Sequence, residues 1–316
     1  MKKIRLFAGA FLATFLWGSA FPCVKTGYEW MGIAADDTGS QMFFAGIRFF
    51  LAGILVLAVW GCVNGFRLPC PGNAQTGDHK AVSGKGAASV GEVLSGAWKL
   101  LLSLALTQTF LQYFFYYVGL AHVSGMKGSI MNSMGTLFTV VFGMLYFKNK
   151  PDMCKVLGVA VGMAGVLTAC FSGIGGAVSI RGEGALLLSA VFIAVGNIIN
   201  KKAAEKLDPM LVTGCHLGIG GVLLLLVGIF MGGSICVSDW KTAILLTYMV
   251  FISAAGFGIW SYLLRHYPVE KVAVFMFLTP VFGTILSGII LGESLGLPVL
   301  AALGMVCAGI VMVQKG

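Results

Sequence analysis

The chain has 316 residues, 58% of them hydrophobic and only 10% charged, with a mean hydropathy of +0.93. That balance excludes a water-soluble domain and defines an all-α integral membrane protein; a transmembrane barrel alternates apolar and polar residues and would not carry continuous apolar runs. The net charge of +9 raises nucleic acid as a partner, which the placement of the basic residues then removes.

Ten spans are predicted in chain order, over about 6–26, 40–62, 98–120, 125–147, 154–172, 183–203, 209–231, 240–264, 269–291 and 296–313. Between spans 2 and 3, residues 64–97 are rich in Gly, Ser and Ala and include Pro69 and Pro71, the composition of a flexible linker. With the amino terminus inside, sixteen of the 21 Lys and Arg residues fall on the cytoplasmic side. Lys25, Lys127, Arg181 and Lys241 fall outside, and Arg48 lies within span 2. This bias predicts a multi-pass protein of the cell membrane with both termini cytoplasmic, in contact with the lipid bilayer and not with nucleic acid. Lys127 and Lys271, at the starts of spans 4 and 9, read as solvated loop charges. The eight cysteines lack paired spacing and read as small buried hydrophobes, so neither a metal nor a cofactor is expected.

The chain repeats itself. Residues 122–166 lie on 266–310 without a gap at an offset of 144; spans 2 and 7 align at 168, placing Gly46 on Gly214 and Gly53 on Gly221; spans 1 and 6 align more weakly at 176. The two repeats are therefore 1–172, containing the linker, and 173–316. Five spans per copy is odd, so the second copy enters the membrane inverted, the arrangement of secondary transporters with a substrate site near the midplane. Gly158, Gly162 and Gly165 in span 5, and Gly304 and Gly309 in span 10, form small-residue faces suited to close packing, within the protomer or in a homodimer.

The candidate substrate-binding residues are polar or aromatic side chains at membrane depth. Arg48 is about eight residues, roughly 12 Å, into span 2, where a charge requires a cavity or a partner; its alternative role is structural. His216, its repeat-mate, titrates near neutrality when exposed and can relay a proton, or it packs between helices as a neutral ring. In span 3, Gln108, Gln112 and Tyr116 recur at i, i+4, i+8 and predict one polar face, broadened by Thr109 and Tyr113. At the offset of 144, Thr109, Tyr113 and Tyr116 correspond to Ser253, Phe257 and Trp260. Two such facing stripes make a pocket with apolar walls and a few directional groups, or else bond helices together. Asn132 in span 4, Asn197 in span 6 and Trp17 in span 1 complete the set.

Trp17-Gly18-Ser19-Ala20-Phe21, Gly46-Ile47-Arg48-Phe49, Tyr117-Val118-Gly119-Leu120, Leu278-Thr279-Pro280-Val281-Phe282 and Leu291-Gly292-Glu293-Ser294-Leu295 together resemble the EamA-type drug/metabolite transporter superfamily over nearly the whole chain. The resemblance implies export or exchange of small metabolites, including amino acids. Two departures stand out: Met134-Gly135-Thr136 where the family's first repeat usually has a proline, which assigns any kink there to Gly135, and Lys148-Asn149-Lys150-Pro151 where it usually has a Gly-Glu-Arg-Leu-like turn.

No phosphate-binding Gly-rich loop is present, and no acidic residue lies deep in a span. The expectation is a secondary transporter, not an enzyme, moving a small polar metabolite by alternating access. The alternatives are a lipid-modifying membrane enzyme, against which the four scattered histidines argue, and a non-transporting receptor or channel.

Overall fold

The computed structural model describes residues 2–64, 90–147, 153–171, 178–267, 272 and 274–315, and among these there is no β-strand. The helices are α1 (Lys2–Trp30), α2 (Thr38–Asn64), α3 (Val90–Leu104), α4 (Gln112–His122), α5 (Gly125–Asn132), α6 (Met134–Phe147), α7 (Met153–Phe171), α8 (Ala185–Ala204), α9 (Pro209–Phe230), α10 (Trp240–His266), α11 (Leu278–Leu291) and α12 (Leu297–Lys315). A π turn over Ala105–Leu111 joins α3 to α4, a second over Ile180–Gly184 leads into α8, and a 3-10 turn over Val274–Phe277 leads into α11. Among the described residues, seven helical segments are long and apolar enough to cross a membrane, and two shorter apolar helices, Phe275–Leu291 and Leu297–Val313, come after them. Large apolar side chains such as Ile54, Leu167 and Phe171 are exposed on the bundle, a surface that suits lipid and not water.

Local chemistry sets several helix ends. The Asp208 carboxylate accepts from the Met210 and Leu211 N–H groups, with Pro209 next in line, so α9 starts on a cap followed by a residue that lacks a donor. Asp239 does the same for Thr242 in α10, and Ser124 for Lys127 in α5. Gly292, at φ 68°, closes α11 and turns Glu293 back toward α5.

Two expectations need correction. The linker was expected to run to residue 97, but α3 begins at Val90; Val90, Val93, Leu94 and Ala97 recur at helical spacing, and that period prolongs the helix. Residues 65–89, and the turn at 148–151, lie outside the described residues. The break in span 4 falls at Ser133, between α5 and α6. Gly135 instead gives room to α8, since a Cβ there would lie 2.7 Å from Ile193 Cδ1.

Packing follows the glycines. α2 lies along α9, α7 along α12, α1 against α10 and α11, α8 against α4 and α6, and α5 against α11. Along α2 and α9 the close approaches are reciprocal. Gly46 meets Leu225 as Gly214 meets Leu57, and Gly53 meets Gly218 as Gly221 meets Phe50; each pair becomes the other on a shift of 168 positions. Between α7 and α12, Gly165 abuts Ala302 and Val306, while Gly309 abuts Gly158 and Gly162, related in the same way by 144. Gly158, Gly165 and Gly309 are thus used between spans 5 and 10 within the protomer, whereas a Cβ on Gly162 would meet Leu137 of α6 and Gly304 is exposed.

Candidate functional site

The candidate residues divide into three groups. In the first, the Trp17 ring of α1 packs 5.2 Å from Trp260 and 5.4 Å from Phe257, both on α10. Phe257 stands edge-on to His216 of α9 at 6.0 Å, and His216 Nδ1 bonds Thr109 Oγ1 at 2.8 Å. His216 is 2% exposed, and no ion pair involves it among the described residues. Trp17 Nε1 is buried without a hydrogen-bond partner among the described residues.

The second group surrounds Arg48, which is 3% exposed. A guanidinium only donates, so burial demands acceptors. Arg48 Nε donates to Ser253 Oγ at 2.9 Å and Nη1 to Tyr117 Oη at 3.1 Å, with the charge 4.9 Å from the centre of the Phe49 ring. Ser253 Oγ in turn donates to the Met249 carbonyl at 3.2 Å. Tyr113, Tyr116 and Tyr117 pack edge to face beside Phe49, and Tyr116 touches Phe21 of α1. Tyr117 was not among the candidates from the sequence. Tyr117→Phe, which leaves Arg48 buried with one acceptor fewer, is expected to cost about 2 kcal/mol, the scale of a hydrogen bond to a charged group. A fall in the thermal midpoint of the purified protein checks this; an unchanged midpoint contradicts it.

The third group bonds helices together. Gln108 Nε2 donates to Asn197 Oδ1 at 3.1 Å, and Asn197 Nδ2 donates to Thr139 Oγ1 at 3.0 Å, joining the first π turn, α8 and α6. Asn132, the last residue of α5, is half-buried, and no hydrogen bond or ion pair among the described residues joins its side chain to any of the three groups. The single face expected for Gln108, Gln112 and Tyr116 is interrupted. Within the π turn each carbonyl is bonded one residue further along, which rotates the helix beyond it; Gln108 therefore reaches α8 and Thr109 reaches α9, while Tyr116 reaches α1.

Gln112 remains, 8% exposed, with its Oε1 buried and unpartnered among the described residues. α1 and α4 run side by side in the same direction: Phe21 touches Tyr116, and one turn on Lys25 Nζ donates to the Leu120 carbonyl at 3.2 Å. One turn back from Phe21 and Tyr116 stand Trp17 and Gln112. Trp17, which packs beside Phe257 and Trp260, and Gln112 are therefore at about the same level on neighbouring helices, two of several buried polar groups without a partner among the described residues.

Two features mark the end of the bundle where α1 finishes, and the first departs from expectation. Lys127 is not a solvated loop charge: it is 1% exposed and paired with Glu183, itself 3% exposed, whose Oε2 also accepts from Ser179 N–H at 2.8 Å. An acidic residue is thus buried at the start of a span, where none was counted. The Glu293 carboxylate accepts from the Gly125 and Met126 N–H groups at 2.6 and 2.8 Å, capping α5 from another part of the chain. The cysteines are mixed: Cys23 and Cys170 are buried, whereas Cys62, Cys154 and Cys236 are exposed.

A bundle of apolar helices long enough to cross a membrane, with large apolar side chains on its outer surface, is that of an integral membrane protein. The EamA-like transporter family matches residues 6–171 and 180–314, and the chain belongs to that family. It is 29% identical to the uncharacterized transporter YvbV of Bacillus subtilis (strain 168), over 99% of this chain and 94% of that one. It is 28% identical to a probable amino-acid metabolite efflux pump of Salmonella typhimurium, over 69% of this chain and 74% of that protein. A solved crystal structure superposes with a TM-score of 0.66 over 97% of this chain and 95% of its own; at 15% identity, that likeness is one of fold.

Proposed function

We propose that the protein exports or exchanges a small polar or zwitterionic metabolite, such as an amino acid, by alternating access. The observation that carries this reading is the pairing of Trp17 Nε1 with Gln112 Oε1 at one level, buried and without protein partners among the described residues, against Phe257 and Trp260. A buried polar atom without a partner costs about 1–3 kcal/mol, a cost that a bound ligand offsets, and aromatic walls with a few directional groups are what small-ligand sites offer. Two relatives named as probable amino-acid metabolite efflux pumps support the substrate class. Ten spans in two inverted repeats, 1–172 and 173–316, are part of the proposal. The family's match in two stretches and the reciprocal contacts along α2 and α9 support it. So is the orientation with both termini in the cytoplasm, which the loop charges support. A homodimer through α7 and α12 would use their outward residues, such as Leu157, Leu167 and the exposed Gly304, since Gly158, Gly165 and Gly309 already meet the partner helix within the protomer.

The test is uptake of a panel of labelled amino acids into proteoliposomes. Saturable flux with counterflow is expected, and Trp260→Ala is expected to raise the half-saturation concentration about 3- to 10-fold, the scale of one aromatic contact. Flux that never saturates would instead indicate a channel, and binding without flux a receptor. Transport unchanged by a pH gradient and by His216→Ala would remove proton coupling.

A further inference from the structure

At the end of the bundle where α1 finishes lies a cleft of about 390 Å³, toward the small end of the roughly 300–1,000 Å³ range of ligand pockets. Its charged lining comes from Lys25, Glu29 and Glu293, and its apolar lining includes Ile33, Ala121 and Leu291. The three charges are not equivalent. Both oxygens of Glu293 are taken by the α5 N–H groups. Lys25 uses one of its three donors on the Leu120 carbonyl. Lys25 and Glu29 are four residues apart on α1, close enough for an ion pair along a helix, yet none joins them among the described residues. The cleft thus presents a cation with two unused donors, close to the Glu293 charge, and an exposed carboxylate about a helical turn further along α1, beside an apolar wall.

We propose that this cleft is a binding site for zwitterionic α-amino acids with apolar side chains. Lys25 takes the ligand carboxylate, Glu29 takes its ammonium group, and Ile33, Ala121 and Leu291 take the side chain. The site is separate from the Trp17–Gln112 level, and only its meaning as an exit station rests on the export reading. A metabolite without charge uses neither the spare Lys25 donors nor Glu29, whereas a simple amine or acid uses one of the two.

The experiment measures binding of three probes to the full-length protein in lipid nanodiscs by calorimetry: L-leucine, 3-methylbutylamine and 4-methylpentanoate. L-leucine is expected to bind at least tenfold more tightly than the amine or the acid. Lys25→Met and Glu29→Gln are each expected to weaken leucine at least tenfold, and Lys25→Arg to retain most of the affinity, with thermal midpoints confirming that every variant is folded. Leucine bound equally by both neutral variants, leucine no tighter than the one-charge probes, or a folded protein that does not bind leucine would each overturn the site. The outcomes separate from transport. Leucine binding that depends on Lys25 and Glu29 without any leucine flux keeps this site and removes the export reading; saturable flux with binding indifferent to both residues does the reverse.

Discussion

Gly221→Val is expected to give no folded protein, while Gly218→Ala, three residues earlier on α9, is expected to be tolerated. A Cβ at 221 would lie 2.3 Å from Phe50 N and 2.7 Å from Phe50 Cα, and backbone atoms cannot swing aside as a side-chain tip can. Overpacking that repacks side chains costs about 1–3 kcal/mol; here relief requires α2 and α9 to separate along their length. Their association depends on that closeness, because in lipid no hydrophobic effect drives helices together and packing carries the contact. The separation would also open the reciprocal approach, where Gly53 lies against Gly218 with a Cβ-to-N distance of 2.4 Å. A Cβ at 218 meets nothing within 4 Å, and alanine favours the helix by about 1 kcal/mol over glycine. The readout is the monodisperse fraction extracted in mild detergent, together with thermal release of the buried Cys23 and Cys170 thiols to a fluorescent probe. A Gly221→Val protein that extracts and melts like the parent would show that the α2–α9 contact is not a close backbone contact.

This pair also shows how the fold can be read before coordinates. Gly46 and Gly53 recur seven apart, as do Gly214 and Gly221; that spacing puts both members on one helix face and marks where a backbone approaches. Charge placement and apolar length located the helices. Locally encoded breaks were harder to see. The π turn at Ala105–Leu111 leaves no mark in hydropathy, yet it separates Gln108 from Tyr116 and sends Thr109 to His216. Arg48 could be recognised as a buried charge needing acceptors, but not which ones, because Tyr116 and Tyr117 are adjacent and only the helix's rotation selects Tyr117. Ser253 was legible only as the repeat-mate of Thr109. Its bond to Arg48 matches the bond of Thr109 to His216 under the same two offsets.

The buried ion pair was missed for a different reason: Lys127 and Glu183 each sit at the end of an apolar run, where a charge is ordinarily read as solvated. Lys127→Met is expected to destabilise the protein by about 3–5 kcal/mol, the usual penalty for removing one partner of a buried pair, because Glu183 is left charged and enclosed. The double variant Lys127→Met, Glu183→Met is expected to recover most of that loss, since neither desolvation cost then remains. If both single variants melt like the parent, the pair is solvated in the membrane and the buried geometry is wrong. The double variant also separates stability from mechanism. The pair ties α5 to the turn before α8, and Glu293 grips the first N–H groups of the same helix, so two carboxylates from residues 173–316 hold one end of α5. Under the proposed alternating access, a link that crosses the moving interface breaks in one state and reforms in the other, and it shifts a two-state equilibrium only as far as its strength differs between the states. A double variant with parental stability but altered flux would therefore assign the pair to the moving interface, and one with parental flux would assign it to the static scaffold.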